Sequence, residues 1–280
     1  TKLATSLLQP EALRESMIFG LAEQVGEALQ ASRGTPLRRS LELRPDPKHY
    51  LEDEEFDEPH RRGEILVAAM LTAFVNMWSS RLKVLVEDRQ VVDRSRAIEE
   101  GADIADCLLT SAIRALDYAP PVDVRFGDYL SALLTADREL RASDTRYRLR
   151  QAVLASFRSY GIEPASETED GYWRPAPARL DYSRTHFEAM RRDYDEVFHF
   201  IWENRAPLGL HRDAFTRVRS VRPCTRVGPD GFVLHETVCE YEQILEPHAS
   251  ELKALNIRKP RGMPDQKPLK LFGGGTLIFD

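Results

Sequence analysis

The sequence predicts an α+β protein, in which a mainly α-helical, bundle-like subdomain over residues 1–207 is followed by a small β-rich module over 208–280. Two observations carry this prediction. Through most of the first part, apolar residues recur every three or four positions, which is typical of amphipathic helices. After Pro207 the stretches FTRVRSV, FVLHETVCEYEQIL and LKLFGGGTLIF are rich in strand-forming residues, and Gly-Pro-Asp-Gly at 228–231 indicates a turn between the first two.

The helical periodicity and the capping signals predict six helices in the first part. These helices cover residues 10–31, 61–87, 92–118, 127–139, 144–160 and 184–204. Pro10 marks the start of the first, and Ser143 or Asp144 is the expected N-cap of the fifth. The second is apolar on nearly all sides as far as Trp78, which predicts a core helix. Residues 35–60 between the first two lack this periodicity and form an unusually long predicted loop, a feature that is often functional.

Composition and charge limit the classes of function. The net charge is −6, which disfavours a general nucleic-acid binder because phosphate neutralisation requires clustered Lys and Arg. The three cysteines, Cys107, Cys224 and Cys239, have neither zinc-knuckle spacing nor a disulfide pattern, so a reducing, cytoplasmic compartment is the simplest inference. The longest apolar run, Ile65 to Val75, is too short to span a bilayer. No signal peptide is visible, and we expect no membrane partner.

The clearest candidate for chemistry is His60, which lies between an acidic run, Glu52 to Glu58, and the start of the predicted core helix. Asp57 and Glu58 are close enough in sequence to orient the imidazole and to favour its protonated form. A protonated imidazole donates a strong hydrogen bond to a developing oxyanion. The alternative interpretation is that His60 covers the helix start and the acidic run is a solvated surface.

Two further histidine patterns resemble metal sites but are incomplete. His235-Glu236-Thr237-Val238-Cys239 is close to the zinc motif HExxH, yet its fifth residue is cysteine and the segment is rich in strand formers. Glu196, His199 and Glu203 have the helical spacing of half a dimetal site, but no second copy exists in the sequence. We assign no metal ligand in these 280 residues.

The remaining patterns have structural interpretations. Residues 141–160 carry five arginines with interleaved aromatic residues, but Arg146, Arg148 and Arg150 fan around a helix, which favours a solvated face over a nucleic-acid patch. Gly273-Gly274-Gly275 lacks the residues of a phosphate-binding loop and favours a strand kink or bulge. On residues alone, the sequence holds no complete catalytic constellation.

Two segments nevertheless resemble a known family. EPHRRGEILVAAMLTAF at 58–74 is similar to the His-x-Arg-Gly stretch of a group of bacterial gluzincin-type, thermolysin-like metallopeptidase proteins. RALDYAPPVDVRFGDYLSALLTAD at 114–137 resembles the same group through its Leu-Asp-Tyr, Pro-Pro and Phe-Gly-Asp pieces. The predicted helix 10–31 and FGGGTLI near the end are also similar to this group.

The resemblance implies a particular role for the chain. In such peptidases an upstream helix carries HExxH, a following helix supplies a glutamate as third zinc ligand, and a C-terminal helical subdomain brings a histidine that helps bind the oxyanion. His60 corresponds to that histidine. An acidic residue ahead of it usually orients the ring, and Asp57 is the expected one, with Glu55 in reserve. Because HExxH and the third-ligand glutamate are absent, no zinc ligand can be assigned in this chain.

We therefore expect the C-terminal region of a zinc metallopeptidase-like hydrolase, inactive alone, whose helices form one wall of the substrate cleft. Its substrate would be a peptide or protein. Since the chain opens at Thr1 rather than at a methionine, we also expect it to be part of a longer protein. The alternatives are a non-catalytic peptide- or protein-binding or regulatory module derived from a peptidase and, more remotely, nucleic-acid association through the arginine-rich segment.

Overall fold

A computed structural model describes residues 2–4, 9–16, 40, 42–86, 91–166, 168–174, 179–227, 231 and 233–279. It confirms the α+β class, with predominant helix and a small three-stranded antiparallel sheet near the C-terminus. The helices are α1 (Pro47–Glu52), α2 (Pro59–Val84), α3 (Arg94–Ala115), α4 (Phe126–Leu140), α5 (Leu149–Ser159), α6 (Phe187–Met190) and α7 (Tyr194–Glu203), with 3₁₀ turns at Glu54–Asp57 and Ala249–Glu251. The strands are β1 (Lys2–Ala4), β2 (Val91–Asp93), β3 (Phe215–Val227), β4 (Val233–Leu245) and β5 (Leu271–Phe279).

The chain forms two compact units whose limits differ from the predicted division at 207/208. Unit 1 comprises Thr1–Leu116 and Tyr129–Tyr172, and unit 2 comprises Asp117–Asp128 and Trp173–Asp280. Helices α6 and α7 therefore belong with the sheet rather than with the other helices. The physical reason is that their apolar side chains share one buried cluster with the strands.

The predicted helices 61–87, 92–118 and 127–139 are present as α2, α3 and α4, with small shifts at their ends. Of the predicted helix 10–31, residues 10–16 are helical and the rest lie outside the described residues. The predicted turn at 228–231 likewise lies outside them, apart from Gly231. Strands β1 and β2, which the sequence does not predict, form a short antiparallel pair in which Leu3 lies opposite Val92.

The predicted helix 144–160 begins later than expected, at Leu149, for a reason that involves its predicted cap. Arg148 adopts a left-handed backbone conformation, with φ at 51°, and supplies no side-chain cap. The Asp144 carboxylate instead accepts the Leu149 and Arg150 backbone N–H groups, at 2.7 and 2.9 Å. Asp144 thus satisfies the first donors of α5 from several residues upstream, which a fixed N-cap spacing does not predict.

The predicted helix 184–204 is interrupted between α6 and α7. The Asp193 side chain accepts the Asp195 N–H at 2.9 Å and starts α7 afresh. The Glu196 carboxylate, from the first turn of α7, accepts the His186 N–H at 2.7 Å and thereby caps α6. Between α6 and α7, backbone N–H groups therefore donate to side-chain carboxylates instead of to the backbone carbonyls of one continuous helix.

Helix α2 is the central element of unit 1 because it packs against both α3 and α5. Ala68, Ala69 and Ala73 of α2 are fully buried, and Ser156 Oγ of α5 donates a hydrogen bond to the Ala69 carbonyl oxygen at 2.7 Å. On the α3 side, Trp78 Nε1 donates to the Ala97 carbonyl oxygen at 2.8 Å. Burial on two sides confirms the predicted core helix and explains why its apolar residues are not confined to one stripe.

The contact between α2 and α3 depends on Gly101. A Cβ atom added at this position would lie 2.9 Å from Trp78 Cε2 and 3.1 Å from Trp78 Nε1. Since the same indole is fixed by its hydrogen bond to Ala97, it cannot move away without breaking that bond. Gly63, within the first turns of α2, is the opposite case, since nothing lies within 4 Å of an added Cβ.

We predict that these two glycines respond oppositely to substitution by alanine. Gly101→Ala should lower the free energy of unfolding by about 1–3 kcal/mol because overpacking outweighs the gain in helix propensity. Gly63→Ala should raise the free energy of unfolding by up to about 1 kcal/mol, since only the propensity gain applies. Urea denaturation followed by circular dichroism measures both. Equal stabilisation by the two substitutions would contradict the assigned Trp78 contact.

A buried carboxylate joins three helices of unit 1. Asp137 of α4 is 1% exposed. Its Oδ1 accepts hydrogen bonds from Ser111 Oγ of α3, at 3.0 Å, and from the Arg141 guanidinium. Its Oδ2 accepts from Arg150 Nη1 of α5, at 3.1 Å. Two cations and one hydroxyl therefore satisfy a charge that would otherwise be costly to bury.

We predict that Asp137→Asn lowers the free energy of unfolding by about 3–5 kcal/mol, because it removes the buried charge that Arg141 and Arg150 share and leaves Arg150 only its longer, 3.8 Å contact with Asp144. The matched control is Glu139→Gln on the same helix, whose exposed pair with Arg138 contributes about 0–1 kcal/mol. Chemical denaturation of both variants provides the measurement. A loss for Asp137→Asn no larger than that of the control would show that the carboxylate is not a structural centre.

Unit 2 is built on the antiparallel sheet β3–β4–β5, with β4 in the middle. One face of the sheet packs against α6 and α7 through Cys239 and Tyr241, which meet Met190, Val197 and Ile201. Burial raises the pKa of the Cys239 thiol to about 12, so this cysteine is a core residue rather than a reactive one.

On the other face of the sheet, Glu242 is 1% exposed and lies between two arginines of β3. Its carboxylate accepts hydrogen bonds from Arg219 Nη1 at 2.7 Å and from Arg217 Nε at 2.5 Å, and these bonds, that from Arg219 most of all, hold the pKa of Glu242 below its usual value. A register shift between Val218 and Ser220 is a β-bulge beside this pair of contacts.

The predicted kink or bulge at Gly273-Gly274-Gly275 is absent, since β5 pairs with β4 in continuous register through all three glycines. Close packing explains Gly274 and Gly275, whereas nothing lies within 4 Å of a Cβ added at Gly273. A Cβ at Gly275 would lie 2.6 Å from the Tyr241 hydroxyl, and one at Gly274 would lie 2.5 Å from the Tyr241 carbonyl oxygen and 3.2 Å from Val122 Cγ2. Glycine is therefore required at positions 274 and 275, whose neighbours lie on opposite faces of this strand.

Candidate functional site around His60

The acidic run folds into an ordered entry to α2. The Asp53 carboxylate accepts the Glu55 N–H at 2.9 Å, and a 3₁₀ turn over Glu54–Asp57 buries Phe56. Glu58 is the N-cap of α2, where its Oε2 accepts the Arg61 N–H at 2.8 Å, and Pro59 occupies the first helical position. A carboxylate cap followed by proline is a favourable start for a helix because it complements the unpaired N–H groups.

His60 lies in the first turn of α2 with its side chain 93% exposed, and its Nδ1 is 2.7 Å from Glu58 Oε1. The hydrogen bond from His60, followed by that from the Arg61 backbone N–H, lowers the pKa of Glu58 to about 2. An ionised carboxylate only accepts hydrogen bonds, so Nδ1 carries the proton. The Nε2 edge of the ring is then presented to solvent in a fixed orientation.

The predicted orienting residue, Asp57, lies elsewhere. Its Oδ1 is 2.8 Å from Arg62 Nη2 and its side chain is 80% exposed. The reserve residue, Glu55, forms an ion pair with Arg61 Nε at 2.7 Å. The structure therefore brings Glu58 to the imidazole, which the sequence offered as an alternative to Asp57, rather than the Asp57 or Glu55 that the resemblance implies. The sequence feature that could have identified Glu58 is its position as the N-cap of α2. An N-cap two residues before His60 directs its carboxylate over the first turn of the helix.

The two arginines after His60 fix the loop against the helix. Arg61 contacts Glu64 as well as Glu55, and its guanidinium lies 5.0 Å from the Phe56 ring centroid. Arg62 Nε donates to the Phe56 carbonyl oxygen at 2.8 Å. Much of the acidic run is thus neutralised locally, so the segment before His60 is held in place by ion pairs rather than being a plain solvated surface.

The other histidine patterns do not assemble sites. His235 is an exposed residue of β4, with Nδ1 3.2 Å from Thr225 Oγ1, so the helix that a zinc motif needs is not formed. On α7, Glu196 caps α6 and Glu203 pairs with Arg184 at 3.4 Å, while His199 is exposed. Among the residues that the structure describes, no group of three or more His, Cys, Asp or Glu could hold a metal ion.

The arginine-rich segment 141–160 is largely paired with carboxylates. Arg146 binds Glu100 and Asp103, each at 3.2 Å, and Arg158 binds Glu163 at 3.0 Å. Arg141 and Arg150 both contact the buried Asp137. These contacts use much of the charge that phosphate binding would need.

Comparison of the chain with protein-family models, with curated proteins and with solved structures finds no match. The resemblance to thermolysin-like metallopeptidases therefore remains a prediction from the sequence. Within the described ranges, α2 alone is long and apolar enough to cross a membrane by length and composition, a property that it shares with the core helices of soluble proteins.

We predict that the Glu58 carboxyl group titrates near pH 2 and that His60 is the main cause. Because the pKa is lowered from 4.5, the stabilising effect of Glu58 is complete above about pH 4.5 and is lost as the pH falls toward about 2. Carboxyl ¹³C NMR should show Glu58 still ionised at a pH of about 3.5, where an ordinary glutamate is mostly protonated.

His60→Ala should move the Glu58 titration toward 4.5. The matched control is His49→Ala, because His49 is also exposed and lies within 3.8 Å of a carboxylate, that of Asp53. It should leave Glu58 unchanged. An ordinary Glu58 midpoint in the unmodified protein would rule out the His60–Glu58 hydrogen bond.

Proposed function

We propose that this chain is the C-terminal region of a zinc metallopeptidase-like protein, in which the helical part forms one wall of a peptide-binding cleft. In this role His60 donates a hydrogen bond to the oxyanion of the tetrahedral intermediate. The supporting observation is the geometry of His60: an exposed ring at the first turn of a buried helix, oriented through Nδ1 by an ionised carboxylate.

The position of His60 suits electrostatic stabilisation. Because Glu58 holds Nδ1, the imidazolium form presents Nε2–H outward, where it can donate to an oxygen that gains negative charge. The ring is also near the N-terminus of α2, whose unpaired N–H groups favour an anion nearby. Helix α2 is packed on two sides, so the donor is placed on a rigid element, as transition-state stabilisation requires.

The described residues do not fit the zinc ion of the family. They contain no group of ligands that could hold a metal, and the full 280-residue sequence contains no HExxH. The proposal therefore assigns the zinc ligands to sequence outside this chain. In this proposal the present chain forms one side of the substrate cleft and positions the hydrogen-bond donor of His60.

The experiment uses the complete gene product that contains this chain. If its sequence carries HExxH and a downstream glutamate, it should bind zinc and hydrolyse fluorescein-labelled casein. His60→Ala should then lower kcat by about 10²–10³-fold with little change in KM, because a donor used only in the transition state is lost. His49→Ala should leave kcat unchanged. Glu58→Gln, which keeps an acceptor for Nδ1 but removes the charge, should give an intermediate loss of kcat.

The outcomes separate the role of His60 from the function itself. A zinc-dependent hydrolase in which His60→Ala keeps its full kcat would exclude oxyanion stabilisation by His60. A gene product without HExxH, without bound zinc and without hydrolytic activity would exclude the peptidase proposal. That second result would favour the alternative, a non-catalytic protein- or peptide-binding module, for which the missing metal ligands among the described residues are the supporting observation.

A further inference from the structure

Helix α3 exposes a continuous apolar stripe. Ile98, Leu109, Ile113 and the adjoining Leu116 are 57–62% exposed, and Ala102 and Ala105 are exposed between them. These six residues follow one another at three- and four-residue spacing, so they lie along one side of the helix. One flank of the stripe is packed, since Ile104 and Leu108, about 80–120° around the helix axis from Ile98, are buried in unit 1. The helix therefore has an inner apolar face that is packed and an outer apolar stripe that is not.

The stripe has an acidic border on the flank away from Ile104 and Leu108. At about 100° per residue, Asp106 and Glu99 lie about 80–100° around the helix axis from Ile98, which places both beside the stripe. Both are exposed, and neither has an ion-pair partner among the residues that the structure describes. The next acidic residue around the helix, Asp103, is by contrast held by Arg146 at 3.2 Å. Two uncompensated carboxylates thus run parallel to the apolar stripe.

This charge distribution discriminates among the surfaces that could cover the stripe. A membrane interface carries anionic lipids and attracts helices with basic borders, so two carboxylates oppose it. A second copy of α3 in an antiparallel two-fold arrangement brings each acidic border against its own image, which is repulsive. A helix with a basic border pairs favourably with both the apolar stripe and the two carboxylates.

We propose that the outer face of α3 is a docking surface for an amphipathic helix of another protein, with aliphatic residues on one side and Lys or Arg along the edge that meets Glu99 and Asp106. The stripe supplies anchors at the i, i+3, i+4 and i+7 type of spacing that helix recognition uses. Helix α3 is about 33 Å long at 1.5 Å per residue, which accommodates about three heptads of a partner. This inference does not depend on the role of His60.

The test uses two designed helical peptides of about three heptads that share one Leu/Ile face and differ only in their border residues, Lys in one and Glu in the other. Fluorescence anisotropy measures their binding to the whole chain. The Lys peptide should bind at least about tenfold more tightly than the Glu peptide, a difference that high salt should reduce. The double variant Glu99→Lys and Asp106→Lys should reverse this preference.

The apolar part of the surface is tested with Leu109→Ser combined with Ile113→Ser, which should weaken binding of the Lys peptide at least about tenfold. Both side chains are more than half exposed, so circular dichroism should show an intact fold. The matched control is Val84→Ser at the end of α2, which is 70% exposed but away from the stripe and should leave binding unchanged.

Three results would overturn the proposal. Equal binding of the two peptides, or no binding of either, would show that the border does not select a basic helix. A concentration-dependent dimer in light scattering that Leu109→Ser with Ile113→Ser abolishes would identify a second copy as the occupant. Binding to vesicles of anionic phospholipid that the same double variant abolishes would identify a membrane surface.

Discussion

The burial of α2 between α3 and α5 is the constraint on which unit 1 depends. A helix packed on two sides must bring neighbouring backbones close, which is why alanines line it and why Gly101 of α3 faces the Trp78 indole. Polar groups at these contacts are satisfied individually, as in the bonds from Ser156 to Ala69 and from Trp78 to Ala97. Because the helix is fixed along its length, its first turn is fixed as well, and this gives His60 a defined orientation.

Local pairing of opposite charges is a second general feature, and it has different consequences at the surface and in the interior. The exposed pair of His60 with Glu58 costs little to form and determines which nitrogen of the ring faces solvent. The buried Asp137 and Glu242 each require two arginines, because an unpaired charge in the interior is strongly destabilising. In unit 1 the Asp137 network joins α4 to α3 and α5, and in unit 2 the Glu242 network joins β4 to β3.

The two proposals concern different surfaces of unit 1 and different physical effects. At His60, one oriented hydrogen-bond donor near a helix N-terminus is suited to act on a developing negative charge. Along α3, a broad apolar stripe with an acidic border is suited to bind another helix. The surface at His60 offers a single oriented polar group, whereas the surface along α3 offers a large apolar area with charged residues over several helical turns. A protein that combines both could recognise a partner without involving the residues around His60.

The sequence by itself determined the fold class and the places of the long helices, because helical periodicity and proline or capping signals are local properties of α2, α3 and α4. It also singled out His60, since a lone histidine between an acidic run and an apolar helix is visible in the chain order. It did not determine that Glu58 holds the ring while Asp57 and Glu55 bind arginines. That choice depends on the helix start, which fixes the direction of each carboxylate.

Tertiary structure alone decided the features that join distant segments. The late start of α5 follows from Asp144 capping over a left-handed Arg148, and the union of α6 and α7 with the sheet follows from shared burial. Gly274 and Gly275 of β5 are required by the backbone and ring of Tyr241, which is far away in sequence. The exposed stripe of α3 has the same periodicity as its buried face, so only the packed structure distinguishes the side that faces the core from the side that faces outward.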